Sequence, residues 1–326
     1  MKDQPAFDDQ TIAVVVPAYN EESKIAAMLA GIPDYVAKIF VIDDCSKDKT
    51  AEIVRERSRN DARITLLRPK ENIGVGGAIV MGYKAVIESG HDIAVVMAGD
   101  GQMDPVDLPI LLKEIVEDKC DYAKGNRFLR GSAEISKIPR HRIFGNLILS
   151  VLTKIVSGYW HVSDSQSGYT AINRRALEAV NWDQCYPRYG CPNDYLVRLN
   201  IANMRVSDVP ITAVYGENWT SSMRSWKVIG PILRLLFRLF GVRMFRKYVV
   251  ANGHPIIFFY LASFLGFLVS GSLFVYILTK FALTGVVPQT ATILFGIATV
   301  GSLQLMLSGF EMDYRDNEWL CIHHGR

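Results

Sequence analysis

The sequence predicts an α/β domain with a mostly parallel sheet, followed by interfacial amphipathic helices and a transmembrane hairpin of two helices. Three observations support this fold class. Short apolar runs alternate with helical patterns and charged turns over residues 1–220. A basic amphipathic stretch follows at 221–252, and two long apolar runs fill residues 253–313. The polar residues 314–326 are predicted to form a cytoplasmic tail.

Four short apolar segments in the first hundred residues have the composition of buried strands. They are rich in β-branched residues and are bounded by turn signals, which is typical of strands covered on both faces. Helical patterns separate them, the clearest over residues 48–58 and 74–89. Asn20 is predicted to cap the first helix, with Glu21 and Glu22 in its first turn. The predicted strands are residues 11–16, 38–43, 63–67 and 92–97.

Acids and amides follow three of these strands. In open α/β sheets, ligands bind beyond the carboxyl ends of the strands, so these side chains are candidate ligand contacts. Acids at three neighbouring strand ends would repel each other without a cation. A hard divalent ion with oxygen ligands and a bound diphosphate are therefore predicted at this edge. The residues are Asn20 and Glu21, Asp43 and Asp44, and Asp100 and Gln102.

Two short motifs bear on the kind of ligand that this edge binds. Residues 96–105, VMAGDGQMDP, carry more side-chain oxygens than a turn requires. Residues 74–77, GVGG, lack both the GxGxxG spacing and the GK[ST] ending of phosphate loops. These glycines are interpreted as permitting close packing or a tight start to a helix.

Composition restricts the class of protein. A formal charge of +3 over 326 residues does not argue for nucleic acid as a partner. The five cysteines form no CxxC pair, which favours reduced thiols over a zinc site or a disulfide framework. The polar, acidic start of the chain does not have the pattern of a signal peptide, so none is expected.

The second half of the chain has the composition of a membrane anchor. No Asp or Glu lies between Glu217 and Glu311, and each of the runs 254–281 and 282–310 can span a bilayer. Positive charge precedes the first run at Arg243, Arg246 and Lys247. By the positive-inside tendency, the α/β domain and both termini are expected to be cytoplasmic in a multi-pass protein of the cell membrane. The hairpin is also a candidate surface for homo-oligomer formation.

The motifs taken in order resemble a known enzyme family. The segments PAYNE (17–21), VIDDCS (41–46), DGQ (100–102), GNR (125–127) and SGY (167–169) are similar to those of inverting GT-A glycosyltransferases of family 2. The subgroup with the greatest similarity is the polyprenyl-phosphate glycosyltransferases, such as dolichol-phosphate mannose synthase. The resemblance covers about residues 10–220, and the membrane hairpin matches the subgroup as well.

The resemblance implies roles for individual residues. Asp100 and Gln102 would ligate Mg²⁺ or Mn²⁺, which bridges the donor diphosphate. Arg127 would add charge at the phosphates, and Asp194 occupies the place of the catalytic carboxylate. One departure is Ala98, where the metal motif commonly has a first Asp, so a weaker or ligand-dependent metal site is expected. The nucleotide-sugar would contact Pro17, Tyr19, Asn20, Glu21, Asp43 and Asp44.

A phosphate acceptor agrees with the charges of the chain. A lipid monophosphate is largely dianionic at neutral pH and needs cations more than a general base. Arg140 and Arg142 are the predicted contacts of the acceptor phosphate. Residues 224–240 place Lys227, Arg234 and Arg238 on one helical face, as in helices that lie in an anionic membrane interface. Packing against the catalytic domain is the alternative for this helix.

The predicted function is inverting transfer of a sugar from a UDP- or GDP-linked donor to dolichyl or undecaprenyl phosphate. Two alternatives stay open at this point. A glycan-extending transferase with a hydroxyl acceptor would need Asp194 as a true base. A non-catalytic nucleotide-binding membrane scaffold is conceivable because the first metal-binding Asp is absent. Turnover of a nucleotide-sugar with lipid extract separates the scaffold from both enzymes.

Overall fold

The structure is a computed structural model. It describes residues 7, 9–129, 140–212, 225–251 and 253–323, with the backbone alone for residues 140–147 and 225–229. The chain divides into two compact units, one of residues 1–240 with 319–326 and one of residues 241–318. The division falls inside the segment that the sequence assigns to the interfacial helices.

Unit one is an α/β domain in which strands and helices alternate as predicted. The four predicted strands are confirmed, with ends displaced by one or two residues. The strands are β1 (Ile12–Ala18), β2 (Lys38–Asp43), β3 (Ile64–Leu67), β4 (Ile93–Val96), β5 (Tyr122–Asn126), β6 (Thr170–Asn173), β7 (Val206–Pro210) and β8 (Cys321–His323). The helices are α1 (Ile25–Ala30), α2 (Thr50–Asn60), α3 (Gly74–Glu88), α4 (Leu108–Val116), α5 (Arg140–Ser157), α6 (Arg174–Ala179), α7 (Cys191–Ile201) and α8 (Ser225–Arg243), which runs three residues past the division.

The strands form one mixed sheet with the order β3-β2-β1-β4-β6-β5-β7-β8. All pairings are parallel except those of β6, which runs antiparallel to β4 and to β5. The neighbours β2, β1 and β4 are parallel, so their carboxyl ends lie side by side. This order confirms the predicted meeting of three polar strand ends.

The sheet is buried on both faces because alternate residues of each strand enter different cores. On β1, Val14 and Val16 pack into the core that includes α1, α2 and α4. Ala13 and Val15 pack into the core that includes α3, α6 and α7. The period of two along a strand explains why the buried strands read as continuous apolar runs.

The last strand comes from the segment predicted to be a tail. Residues Val206, Ser207 and Asp208 of β7 pair in parallel with Cys321, Ile322 and His323 of β8. Leu320, just before β8, is fully buried. The end of the chain is therefore part of the edge of the sheet.

Helix α8 packs on one side and is exposed on another. Its buried residues Leu235, Leu236 and Leu239 form a small core with Val156 of α5 and Val197 of α7. The packing alternative for this helix is thus confirmed. Its other side exposes Phe237 (83%), Leu233 (47%), Arg234 and Arg238. Both cationic and apolar side chains are therefore available to an external surface. The side chain of Lys227 lies outside the described residues.

Unit two consists of a π-helical segment, Met244–Ala251, and the helices α9 (Ile256–Thr284) and α10 (Gln289–Asn317). Both helices are long and apolar enough to cross a membrane, and little of either is buried. They pack through small residues. The Ser263 hydroxyl donates to the carbonyl of Ser302 (2.9 Å), and Gly266 lies against the Ser302 side chain. Small residues that let helix backbones approach are typical of membrane helix pairs.

Two of the three cations that precede the first span are not on the surface. Arg243 and Lys247 are buried, and only Arg246 is exposed. The guanidinium of Arg243 pairs with the Asp313 carboxylate, and Lys247 Nζ donates to Asn317 Oδ1 (2.7 Å). Of the three cations used to predict the orientation of the spans, only Arg246 therefore exposes its charge. Residues 218–310 contain no acid, so the counter-charge of Arg243 is Asp313, near the end of α10.

Candidate active site

A cavity of about 600 Å³ lies at the carboxyl ends of β1, β2 and β4. Three acidic residues that follow three different strands line it, Glu21, Asp44 and Asp100. The described residues that line it are Pro17, Ala18, Tyr19, Glu21, Asp44, Asn72, Gly74, Val75, Ala78, Ala98, Gly99, Asp100, Arg188 and Tyr189. The position at the end of parallel strands is where open α/β sheets bind ligands.

The end of β1 is held to the end of β2 by side-chain hydrogen bonds. The backbone N–H of Asn20 donates to Ser46 Oγ (2.9 Å), and Asn20 Oδ1 accepts from the N–H of Lys47 (2.8 Å). Asn20 itself has a positive φ of 57°, a conformation that Asn tolerates better than most residues. The predicted helix cap at Asn20 is wrong. Helix α1 begins at Ile25 without a side-chain cap, and Glu21 and Glu22 lie before it.

Asp43 and Asp44, at the end of β2, are both buried but have different partners. Asp43 Oδ1 accepts from the N–H of Ser46 (3.1 Å), and its Oδ2 lies 3.2 Å from Nε of Arg68. Asp44 accepts from the N–H groups of Ile73 (2.7 Å) and Gly74 (2.9 Å), at the start of α3. Asp44, which lines the cavity, therefore caps the start of α3 with both carboxylate oxygens.

The end of β4 explains part of the unusual oxygen content of VMAGDGQMDP. Asp100 Oδ1 accepts from the N–H of Gln102 (3.1 Å) around Gly101, whose φ is +69°. Asp104 caps the next turn by accepting from the N–H of Val106 (2.9 Å). Within the described chain, Asp100 Oδ2 makes no hydrogen bond, and Asp100 lines the cavity. One carboxylate oxygen is thus available for a ligand.

The cavity has the electrostatics of a cation site. Burial raises the pKa of Glu21, and the negative charge of Asp100 raises it further, so the two carboxylates sense each other. Their oxygens are the hard donors that Mg²⁺ and Mn²⁺ prefer. Within the described residues, no group of three His, Cys, Asp or Glu side chains forms a complete metal site. The donor set fits a divalent ion that takes its remaining ligands from substrate, and Ala98 lines the cavity where a further carboxylate would stand.

Asp194 lies in the first turn of α7 and is 1% exposed. Its Oδ2 accepts from the N–H of Tyr186 (2.5 Å), and its Oδ1 accepts from Nε of Arg198 (2.9 Å). Burial raises its pKa, and the charge of Arg198 opposes the rise. The carboxylate is therefore engaged with the loop 185–190 and does not line the cavity formed by the described residues.

Arg127 follows β5 and is paired with an acid that is distant in sequence. Its Nε donates to Asp164 Oδ2 (2.7 Å), its Nη2 donates to Asp164 Oδ1 (3.0 Å), and its side chain is 26% exposed. The bidentate pair fixes the direction of the guanidinium. The sequence pattern indicated the arginine but not its partner.

A buried polar cluster lies behind this pair. Lys124 Nζ donates to the carbonyl of Ser167, and Asp208 accepts from Asn126 Nδ2 and from the N–H of Ser163. Burial lowers the pKa of Lys124 to about 8 and raises that of Asp208 to about 6. These shifts arise because both charged forms lose hydration in the interior.

The remaining predicted site residues divide between the cavity and positions outside it. Pro17 and Tyr19, the predicted nucleotide-sugar contacts, line the cavity, whereas Gln102 does not line it and contacts Asp100 through its backbone. Arg140 begins α5, and the side chains of Arg140 and Arg142 lie outside the described residues.

Sequence reasoning missed the loop that contributes Arg188 and Tyr189 to the cavity. These residues lie about 90 residues after Asp100, outside every strand end, and no local pattern marks them. The signal was indirect. In GVGG, a Cβ on Gly74 would lie 2.6 Å from the carbonyl oxygen of Pro187, and one on Gly76 would lie 2.5 Å from that of Tyr186. The glycines permit close packing, as predicted, and the segment that they accommodate is this loop.

The mixed sheet with an acidic cavity at its parallel strand ends is the architecture of the GT-A glycosyltransferases. Residues 13–180 match the model of the family described as glycosyl transferase family 2. The chain belongs to this family, and it is a glycosyltransferase, as the motifs of its sequence predict.

Curated relatives agree with this assignment. The chain is 31% identical over 244 residues to the UDP-N-acetylglucosamine–dolichyl-phosphate N-acetylglucosaminyltransferase of Methanococcus voltae, over 70% of this chain and 96% of that protein. It is 29% identical to the undecaprenyl-phosphate mannosyltransferase of Micrococcus luteus, over 65% and 87% of the two chains. The crystal structure of glucosyl-3-phosphoglycerate synthase from Mycobacterium tuberculosis matches the fold with a TM-score of 0.51 and 21% identity, over 72% of this chain and 81% of that one. The predicted resemblance is confirmed.

Proposed function

We propose that this protein transfers a sugar from a nucleotide-sugar to a polyprenyl phosphate at the cytoplasmic face of a membrane, with inversion at the anomeric carbon. The observation that carries the proposal is the cavity that Glu21, Asp44 and Asp100 line. It occurs in a chain with two helices long enough to span a membrane, and the relatives above are named for dolichyl and undecaprenyl phosphate.

The donor is proposed to bind with its nucleotide along the ends of β1 and β2. Tyr19 is half exposed and lines the cavity, so its ring can contact a base or ribose. The buried Asp43 and the Asn20 contacts would shape this edge of the site. A Mg²⁺ or Mn²⁺ ion held by Asp100, with Gln102 nearby, would neutralise the diphosphate and make the nucleoside diphosphate a better leaving group.

The acceptor is proposed to be a phosphate because the site favours cationic contacts over a general base. Asp194 is buried and hydrogen-bonded, so it is poorly placed to take a proton from a hydroxyl. A phosphate monoester has a second pKa of about 6 and is already ionised at neutral pH. Arg127, oriented by Asp164, and the arginines Arg140 and Arg142 are the proposed phosphate contacts.

The order of the elements along the chain supports the proposed membrane location. The segment between the two parts of unit one contains both candidate spans, and an even number of crossings returns the chain to the side on which it began. The exposed Leu233 and Phe237, with Arg234 and Arg238, give α8 a surface suited to an anionic lipid interface. The acceptor phosphate lies at that depth.

A donor screen tests the proposal. The purified full chain in detergent is incubated with UDP- and GDP-sugars, and with either a polyprenyl phosphate or the neutral polyprenol. Release of one nucleoside diphosphate together with a lipid-linked sugar, only with the phosphate, is expected. Equal glycosylation of polyprenol or of free sugars would favour the hydroxyl-acceptor alternative. The absence of turnover with every donor would contradict the proposed transferase activity.

Arginine variants test the acceptor contacts. A lost charge-assisted contact costs about 1.5–3 kcal/mol, so Arg140→Ala and Arg142→Ala should each lower the efficiency of acceptor use about ten- to a hundredfold. Binding of the nucleoside diphosphate should stay near wild type. The matched control is Arg57→Ala, because Arg57 is an exposed arginine of α2. Equal loss of donor and acceptor binding would assign both arginines to the donor diphosphate instead.

A further inference from the structure

The loop 185–190 brings a cation into the acidic cavity. Arg188 is exposed and lines the cavity together with Glu21, Asp44 and Asp100. It is the one Lys or Arg among the described residues that line this cavity. A site that holds a metal and an anionic substrate needs charge of both signs, and this loop contributes the positive side chain.

The backbone around Arg188 is fixed on both sides. The N–H of Tyr186 donates to Asp194 Oδ2 (2.5 Å), and the carbonyl of Pro187 accepts from the N–H of Gly77 (3.1 Å). The carbonyl of Arg188 itself accepts from the N–H of Cys191 (3.0 Å), and Gly190 closes the loop with a φ of +107°. The buried carboxylate of Asp194 thus holds the loop that presents Arg188.

The stem of Arg188 lies over the start of α3. A Cβ on Gly74 would lie 3.0 Å from Arg188 Cγ, so the glycine leaves room for this side chain. The first N–H groups of α3, at Ile73 and Gly74, are already bonded to Asp44. The guanidinium is therefore a charged donor at this end of the cavity that can form new hydrogen bonds to a ligand.

The guanidinium has no partner within the described part of the chain. Arg68, Arg127 and Arg198 each pair with a carboxylate, at Asp43, Asp164 and Asp194. Arg188 makes no such ion pair and no side-chain hydrogen bond there, although it lines the cavity with three carboxylates. Its planar fork matches the oxygens of a phosphate.

We propose that Arg188 binds the diphosphate of the nucleotide-sugar donor and that Asp194 is its positioning residue. This inference rests on the proposed function. Ala98 removes one carboxylate from the metal motif, so less protein charge holds the ion that neutralises the diphosphate. A protein cation at the same cavity offsets part of that loss by contacting the diphosphate directly.

Binding of a series of nucleotides to the full chain in detergent tests this assignment. The probes are the nucleoside diphosphate that the donor screen identifies, the matching monophosphate and the nucleoside. Arg188→Gln should weaken diphosphate binding about ten- to a hundredfold, with less than a twofold change for the nucleoside. Arg188→Lys should recover part of the affinity because the charge remains but the fork is lost. Arg57→Gln, on exposed α2, should bind all three as wild type does.

The positioning role of Asp194 has its own measurement. Asp194→Ala removes the acceptor of the Tyr186 N–H, so it should reproduce the diphosphate-selective loss, whereas a general loss of folding would weaken the nucleoside equally. Asp194→Asn keeps an acceptor oxygen and should show a smaller loss.

The outcomes separate this inference from the proposed function. No nucleotide binding by the wild-type chain would overturn both. Wild-type binding that Arg188→Gln leaves unchanged overturns the inference alone. The inference is also wrong if Arg188→Gln raises the KM for polyprenyl phosphate while diphosphate binding is unchanged, because Arg188 would then contact the acceptor.

Discussion

Arg243 and Asp313 form a buried bidentate ion pair across 70 residues of sequence, with Nη1–Oδ1 and Nη2–Oδ2 distances of 2.8 Å each. The hydroxyl of Tyr248 donates to Asp313 Oδ1 (2.6 Å), and Asn317 Nδ2 donates to the same oxygen (3.0 Å). The pair joins the segment before α9 to the last turns of α10. It therefore links the first and the last residues of unit two.

Breaking this pair should destabilise unit two. Asp313→Asn leaves a buried guanidinium without its counter-charge, which typically costs about 3–5 kcal/mol. Thermal unfolding in detergent micelles should show a clear drop in melting temperature. Glu311→Gln is the matched control, because Glu311 lies on the same helix in an exposed pair with Arg315 and should have little effect. A melting temperature of Asp313→Asn equal to that of the control would contradict this account.

Asp100→Asn should abolish most activity while the domain stays folded. The Asn side chain keeps the oxygen that accepts from the Gln102 N–H, so the turn survives, but the charge that faces the cavity is lost. We expect a loss in turnover of about a hundredfold or more, since a metal ion provides several kcal/mol to such reactions. Asp104→Asn, which alters a turn cap outside the cavity lining, is the control. Wild-type turnover of Asp100→Asn at low magnesium would exclude the metal role.

Ala98→Asp tests the departure from the common metal motif. Ala98 is partly exposed and lines the cavity, so a carboxylate fits there without disturbing the core. The variant should reach half-maximal turnover at a lower Mg²⁺ or Mn²⁺ concentration, because a second carboxylate strengthens the site. An unchanged metal requirement would indicate that diphosphate oxygens already fill that coordination position. A metal titration of turnover at saturating donor distinguishes the two results.

Asp194→Asn should lower the rate without moving the acidic limb of the pH–rate profile. Burial raises the pKa of Asp194, so a general base at this position would produce an acidic limb of its own. A phosphate acceptor produces the limb through its own second pKa of about 6. The measurement is kcat/KM for the lipid phosphate between pH 5 and pH 8 in both proteins. Disappearance of the limb in the variant would support a hydroxyl acceptor.

Asp208 should make stability depend on pH between about pH 4 and pH 6. Burial raises its folded pKa from 3.8 to about 6, so the folded state binds more protons than the unfolded state in this window. Its contribution to stability is therefore complete below about pH 4 and is lost as the pH rises through 6. The slope reaches about 1.4 kcal/mol per pH unit for one proton.

Asp208→Asn should remove this slope, as measured by unfolding of the full chain at several pH values. Asp34→Asn, at a fully exposed carboxylate, should keep the wild-type slope. A slope that survives in Asp208→Asn would assign the proton to another group.

Much of unit one follows from local sequence. The period of two and the β-branched runs predict the strands β1 to β4, because a strand buried on both faces needs apolar residues on both. Acids after successive strands predict the cavity, because neighbouring parallel strands end at the same edge. The two long apolar runs predict α9 and α10, since their length and composition suit a bilayer without any tertiary contact.

The remaining features depend on which distant segments meet, and only the tertiary structure decides that. The order of the strands places β8 beside β7 and turns a predicted tail into part of the sheet. Asp164 lies 37 residues from Arg127. The loop with Arg188 reaches the cavity because Asp194 accepts a hydrogen bond from it and because Gly74 and Gly76 leave room for it. The sequence alone determined the strands, the spans and the acidic edge, because each has a local pattern of composition. The partner of a single charged residue has no such pattern. Long-range packing decided which charges are paired, which are buried and which face the ligand.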